Sequence, residues 1–110
     1  MATSPLRVIL VTAPPKKAEG LARALLKERL VACVNLIPKI RSLYWWEGKI
    51  CDEPETLMVM KTPKRHVAAL RRRVKDLHPY TVPEFLALAV ESTDKPYADW
   101  VAEQTKRKGR

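Results

Sequence analysis

The 110-residue chain has two cysteines, two histidines, three glycines and one phenylalanine, and each shortage closes off a class of protein. Cys33 and Cys51 are too few for a disulfide scaffold, and their spacing matches no zinc motif. With only His66 and His78 beside them, a structural zinc site within one subunit has no closed set of ligands. There is no phosphate-cradling glycine loop, no Ser-His-Asp set and no pair of carboxylates at a defined spacing. An enzyme is therefore not expected. No segment has the length and apolarity of a membrane span. The opening MATSPLRVILVTAPP lacks the longer apolar stretch and cleavage site of a signal peptide, so the expected address is cytoplasmic. A single asparagine (Asn35) and a single glutamine (Gln104) fit a heat-adapted source, or equally a GC-rich genome.

What is present is charge and apolar patterning. A net charge of +9 comes with 46% hydrophobic residues, enough for one core and one domain over residues 1–110. Basic runs lie at Arg71-Arg72-Arg73 and in the tail over 105–110, which is expected to be disordered outside a core of 6–104. Leu6 to Thr12 is a continuous β-branched run that reads as a strand buried on both faces. Ala18, Leu21, Ala22, Leu25 and Leu26 recur at helical spacing between Lys16 and Arg29. Ala32 to Glu47 and Ile50 to Lys61 read as two long strands around a turn at Gly48-Lys49. Val67, Leu70, Val74 and Leu77 mark a second helix after Thr62-Pro63. Residues 78–83, with two prolines, read as a loop. Phe85 to Val90 reads as a fourth strand and Tyr97 to Lys106 as a terminal helix. The order is βαββαβ plus a helix. Right-handed crossovers then give an α+β, ferredoxin-like sandwich with the first and third strands central and Pro38 on an edge strand.

The hairpin points to a partner. A strand from Ala32 to Glu47 would run roughly 50 Å, against a radius of gyration of about 13 Å for a domain of this size. It must bend, with Pro38 the obvious place, or project as an arm. Ile40, Leu43, Tyr44, Trp45 and Trp46 expose too much apolar surface for water, and adjacent strand residues cannot both fold back onto one core. An oligomer is expected. With Gly48-Lys49 as the turn, Cys51 faces Trp46 and Cys33 lies roughly 40 Å away, so no intrachain disulfide is expected.

Ala32-Cys33-Val34-Asn35, Tyr44-Trp45-Trp46-Glu47-Gly48-Lys49, Lys61-Thr62, His78-Pro79-Tyr80 and Pro83-Glu84 together resemble the divalent-cation tolerance (CutA) family, in matching order from about Val8 to Val101. The resemblance implies the ferredoxin-like fold and a tight homotrimer with sheets continued between neighbours, much like the PII signalling proteins. It also implies a link to tolerance of copper and other divalent cations, with Cu2+ as a non-obligatory ligand. The chain departs from the family pattern in places. Pro38-Lys39 stands where many relatives have Pro-Gly, and Thr81 where many have a carboxylate. Val11 and Leu77 replace a cysteine and a histidine found in some members, so of that copper site only His78 is retained.

The candidate metal ligands are His78, Cys33 and Glu84. Imidazole suits copper or zinc, though a loop histidine more often satisfies a neighbour, a lone cysteine is more often a small hydrophobe, and Glu84 is expected to pair with Lys61. Asn35 and Tyr80 are candidates for a polar pocket between subunits, joined there by Lys61. Tyr44, Trp45 and Trp46 are expected to pack at an interface, and His66 to be solvated. Three functions follow: a trimer that binds a divalent cation weakly, a PII-like module whose inter-subunit clefts with Lys61, His78 and Tyr80 hold a small anion or a protein tail, and nucleic-acid binding driven by charge. The last is disfavoured, because no aromatics alternate with the basic residues.

Overall fold

In a computed structural model describing residues 4–107, the chain runs β1 (Leu6–Ala13), α1 (Pro15–Lys27), β2 (Cys33–Trp46), β3 (Lys49–Pro63), α2 (Val67–Leu77), β4 (Leu86–Ala89) and α3 (Lys95–Gln104), with a 3-10 turn at Lys64–His66 before α2. The strands form one antiparallel sheet in the order β2-β3-β1-β4. This is the expected ferredoxin-like α+β sandwich. The two strands with unbroken apolar runs take the centre, where both faces need cover, and Pro38 falls on an edge strand.

One face of the sheet is covered by α1 and α2. Ile9, Val11 and Ala13 of β1 and Met58 and Met60 of β3 are fully buried there against Leu21, Leu25, Leu70 and Val74. α1 starts on Pro15, whose fixed φ suits a first helical position. It ends in a hydrogen-bonded reversal. Arg29 takes a left-handed φ of 60°, its N–H donates to the Leu26 carbonyl at 3.0 Å, and the Leu30 N–H reaches the Leu25 carbonyl at 3.1 Å. Glycine usually fills that position. Here the Arg29 guanidinium is held by the Gln104 carbonyl at 3.0 Å.

The opposite face carries Val8, Leu10, Leu57 and Val59 of the central strands, flanked by Ile37 of β2 and Leu86 and Leu88 of β4. α3 approaches β3 from this side near Cys33 and the loop after α2 covers Glu55 farther along, while Leu86 and Leu88 stay about half exposed. α3 begins two residues earlier than its apolar pattern suggests, because Pro96 is compatible with a first helical turn. Thr105, expected in the tail, is buried and donates to the Val101 carbonyl at 2.7 Å. His66 is not simply solvated: its Nε2 lies 2.8 Å from the Thr105 carbonyl and ties α2 to α3. Residues 108–110 of the expected tail lie outside the described residues.

The β2-β3 hairpin reaches beyond the helices as an arm, within a longest molecular extent of 44 Å. It turns on Glu47-Gly48, with φ of 49° and 78°, rather than on Gly48-Lys49. A two-residue turn of this type needs positive φ at both central positions, and glycine favours the second. The register therefore differs from expectation, and Cys51 faces Tyr44 while Trp46 faces Lys49. Near its base the arm bends where expected. Between the pairs Ile37–Leu57 and Ile40–Glu55, β2 inserts an extra residue at Pro38-Lys39, and Lys39 sits at φ 62°. Both cysteines are free.

Candidate ligand cleft

α2 stops at His78 because Pro79 cannot continue it, and the His78 N–H closes the helix on the Val74 carbonyl at 2.8 Å. The imidazole turns inward and is only 6% exposed. Its Nε2 lies 2.7 Å from the Thr12 carbonyl oxygen at the end of β1, and its Nδ1 is 3.1 Å from the Tyr80 backbone nitrogen. A carbonyl only accepts and an amide N–H only donates, so the ring carries its proton on Nε2 and both nitrogens are committed. No lone pair remains for a cation. His78 is a brace between β1 and the 78–85 loop, which corrects its assignment as the leading metal ligand.

The brace presents Tyr80. The Tyr80 hydroxyl donates to Glu55 Oε2 at 2.9 Å, and its ring lies 4.7 Å from the His78 ring. Glu55 is 4% exposed, just past the end of β1. Burial first, and then the bond to Glu55, pushes the Tyr80 phenol up to about 12. Glu84 enters from the loop, its carboxyl raised by burial and by the nearby Glu55 charge. A cleft of about 740 Å³ opens here between the loop and one face of the arm, where Ser42, Tyr44 and Trp46 join Thr12, Glu55 and Glu84. The arrangement is concave and partly aromatic, and its charged lining is Glu55 and Glu84 with Arg41, whose guanidinium is already held by Asp52 at 2.7 Å. It offers orientation and charge to a small ligand, and no nucleophile with an adjacent base.

Cys33, Asn35 and Lys61 form a separate cluster on the uncovered face of the sheet. Cys33 and Lys61 are cross-strand partners, and the Lys61 ammonium donates to Asn35 Oδ1 and lies 3.6 Å from Cys33 Sγ. The Tyr97 phenol is raised by burial and by Cys33 beside it. Lys61 is four residues along β3 from Leu57, the partner of Thr12, which puts Cys33 about 13 Å along the strand from the His78 brace. The expected ligands His78, Cys33 and Glu84 are thus not brought together, and among the described residues no group of three or more potential ligands could hold a metal ion. Nor does Glu84 pair with Lys61, since each belongs to a different cluster. Tyr80 lines a cleft within the protomer, apart from Asn35 and Lys61, with which it was expected to share a pocket between subunits. Trp45 and Trp46 are 72% and 50% exposed on the protomer.

Glu55 and Thr12 were not anticipated. Glu55 stands in the polar stretch Asp52-Glu53-Pro54-Glu55, where alternation alone marks solvated arm positions. It is buried where the loop after α2 brings Tyr80 onto it.

The chain matches the family model described as CutA1 divalent ion tolerance protein over residues 7–104. It is 43% identical over 99 residues to the divalent-cation tolerance protein CutA of Thermus thermophilus, covering 89% of this chain and 96% of that one. It is 49% identical over 96 residues to human protein CutA, covering 86% of this chain and 54% of that protein, so it spans about half the length of that relative. Among solved structures, it is similar to the PII-like protein CutA from Nostoc sp., with a TM-score of 0.88 and 37% identity over 92% of this chain and 98% of that one. None of these descriptions names a reaction.

Proposed function

The chain belongs to the CutA1 divalent ion tolerance protein family, and from that premise we propose that it acts in cation tolerance as a homotrimeric, PII-like regulatory protein that holds a small ligand rather than transforming a substrate. The observation that carries this is the cleft of Glu55, Tyr80 and Glu84, set at the root of a projecting arm. Two neighbouring carboxylates, one of them nearly buried and without an ion pair among the described residues, favour a ligand that brings positive charge. The trimer is supported by the uncovered sheet face. Ile37, Leu86 and Leu88 on that face, with Trp45 and Ile50 on the other side of the arm, form more apolar surface than a monomer leaves in water.

A thermal-shift panel of amine-bearing metabolites, nucleotides and divalent cations tests the cleft. A stabilising ligand whose effect is lost in Glu84→Gln supports it, and silence across the panel overturns it. Sedimentation equilibrium tests the assembly, and a monomeric mass at micromolar concentration overturns that part.

A second reading rests on the same two carboxylates. A divalent cation such as Cu2+, keeping most of its waters, is held weakly by Glu84 and Glu55. Calorimetric titration then shows weak copper binding that falls in Glu84→Gln and persists in Cys33→Ala. The reverse pattern overturns this reading.

A further inference from the structure

The charge of +9 is not spread evenly over the fold. The segments Pro15 to Glu28 and Lys64 to Leu77, which form the helix layer, contain ten lysines and arginines against three acids. All three acids are already engaged, Glu19 with Arg23, and Glu28 and Asp76 with Arg73. Lys16, Lys27, Arg65, Arg71, Arg72 and Lys75 are exposed and make no ion pair among the described residues. Helical periodicity turns most of them away from the sheet, since Leu21, Leu25, Leu70 and Val74 point into it. The hairpin from Cys33 to Pro63, by contrast, balances four basic residues with four acidic ones.

The composition of the layer selects among polyanions. Its two segments contain no phenylalanine, tyrosine or tryptophan. That removes the stacking platforms a single strand needs and the aromatic anchors that dominate protein interfaces. The outward side lacks the apolar stripe with which an interfacial helix enters a bilayer. Phosphates along a duplex require neither device, only cations at intervals on a firm surface. Two adjacent helices, of 13 and 11 residues, present such a surface about 20 Å long. The lack of interleaved aromatics that disfavoured nucleic acid from the sequence therefore bears on single strands and not on duplexes.

We propose that the outer face of α1 and α2 docks the phosphate backbone of duplex nucleic acid without reading its sequence. Neutralising about four or five phosphates gives a logarithmic salt slope near −4. The test is fluorescence anisotropy of a labelled DNA duplex of about 25 base pairs, titrated with the full chain at about 50 and about 150 mM salt. Binding is expected to weaken by about 100-fold between the two. At the lower salt it is expected to fall at least about tenfold in Arg71→Ala/Arg72→Ala/Lys75→Ala. Lys49→Ala at the arm tip should bind like the wild type. Should the triple variant fail to melt like the wild type, Lys16→Ala/Lys27→Ala on α1 gives the same comparison. Lack of duplex binding at the lower salt overturns the proposal, as does an affinity unaffected by folded helix-layer variants. So do tighter binding of the matching single strand, and retention on anionic-lipid vesicles at a salt where the duplex is released.

Discussion

Ile9 and Leu10 are neighbours on β1, yet Ile9 is completely buried beneath the helices while Leu10 faces a surface that the chain only partly covers. The same contrast runs across the sheet, from Met60 at 0% exposure on one side to Leu88 at 47% on the other. The covered face supplies the stability of the protomer. The uncovered face has the composition of a core without the cover of one, which is what an assembly surface requires. The cleft lies where β1 ends and the arm leaves the sandwich, so it borrows rigidity from the first face and openness from the second.

Substitutions on the two faces should fail in different ways. Leu25→Ala, beneath the helices, should lower the unfolding free energy by about 3 kcal/mol in urea titrations, equally at all protein concentrations. Leu88→Arg should instead reduce the oligomer mass in light scattering and lower the melting temperature, most strongly at low protein concentration. If Leu88→Arg changes neither, the uncovered face is not an assembly surface. His78→Ala tests the boundary between the faces. It strands the Thr12 carbonyl and the Tyr80 N–H, and should cost about 2 kcal/mol while leaving copper affinity in calorimetry unchanged. Lys39→Gly should stabilise by about 1 kcal/mol in thermal melts, because the left-handed backbone at that bulge is strained for lysine and open to glycine.

The smallest effect concerns Glu84. Its carboxyl titrates higher in the folded chain than in the unfolded one, so its contribution is whole below the unfolded value and is lost as pH rises through the folded one. Glu84→Gln should therefore gain stability over the wild type on going from about pH 4 to about pH 7, read from paired melts. A constant difference across that range would show that Glu84 feels neither burial nor Glu55.

Much of the fold was legible because its signals are local. The β-branched run of β1, the helical spacing of Ala18 to Leu25 and the prolines around the 78–83 loop each fix one element, and handed crossovers leave one arrangement of four strands. Where a single residue decided the matter, legibility ended. A glycine beside the tip suggested the wrong turn, and that slip misaligned every pair in the distal arm. The site was less legible still. Nothing in His78-Pro79-Tyr80 says that both imidazole nitrogens are occupied, since one partner lies 66 positions away in sequence. Nothing in Asp52-Glu53-Pro54-Glu55 says which acid is buried. The arrangement of charge was readable in principle, because helical spacing sorts Arg72 and Lys75 from Leu70 and Val74 without any coordinates.

The inserted residue at Pro38-Lys39 also acts as a parity switch. Below it, odd-numbered side chains of β2 point to the uncovered face; above it, even-numbered ones do. A regular ladder that kept both residues would turn the distal strand over, bringing Leu43 and Trp45 to the places of Tyr44 and Trp46 and stripping the cleft of its aromatic wall. Deleting one of the two instead leaves Ile40 opposite Glu55 and the distal arm as it is. The chemistry of the arm is thus set some ten ångströms or more from where it is displayed, by a count rather than by a contact.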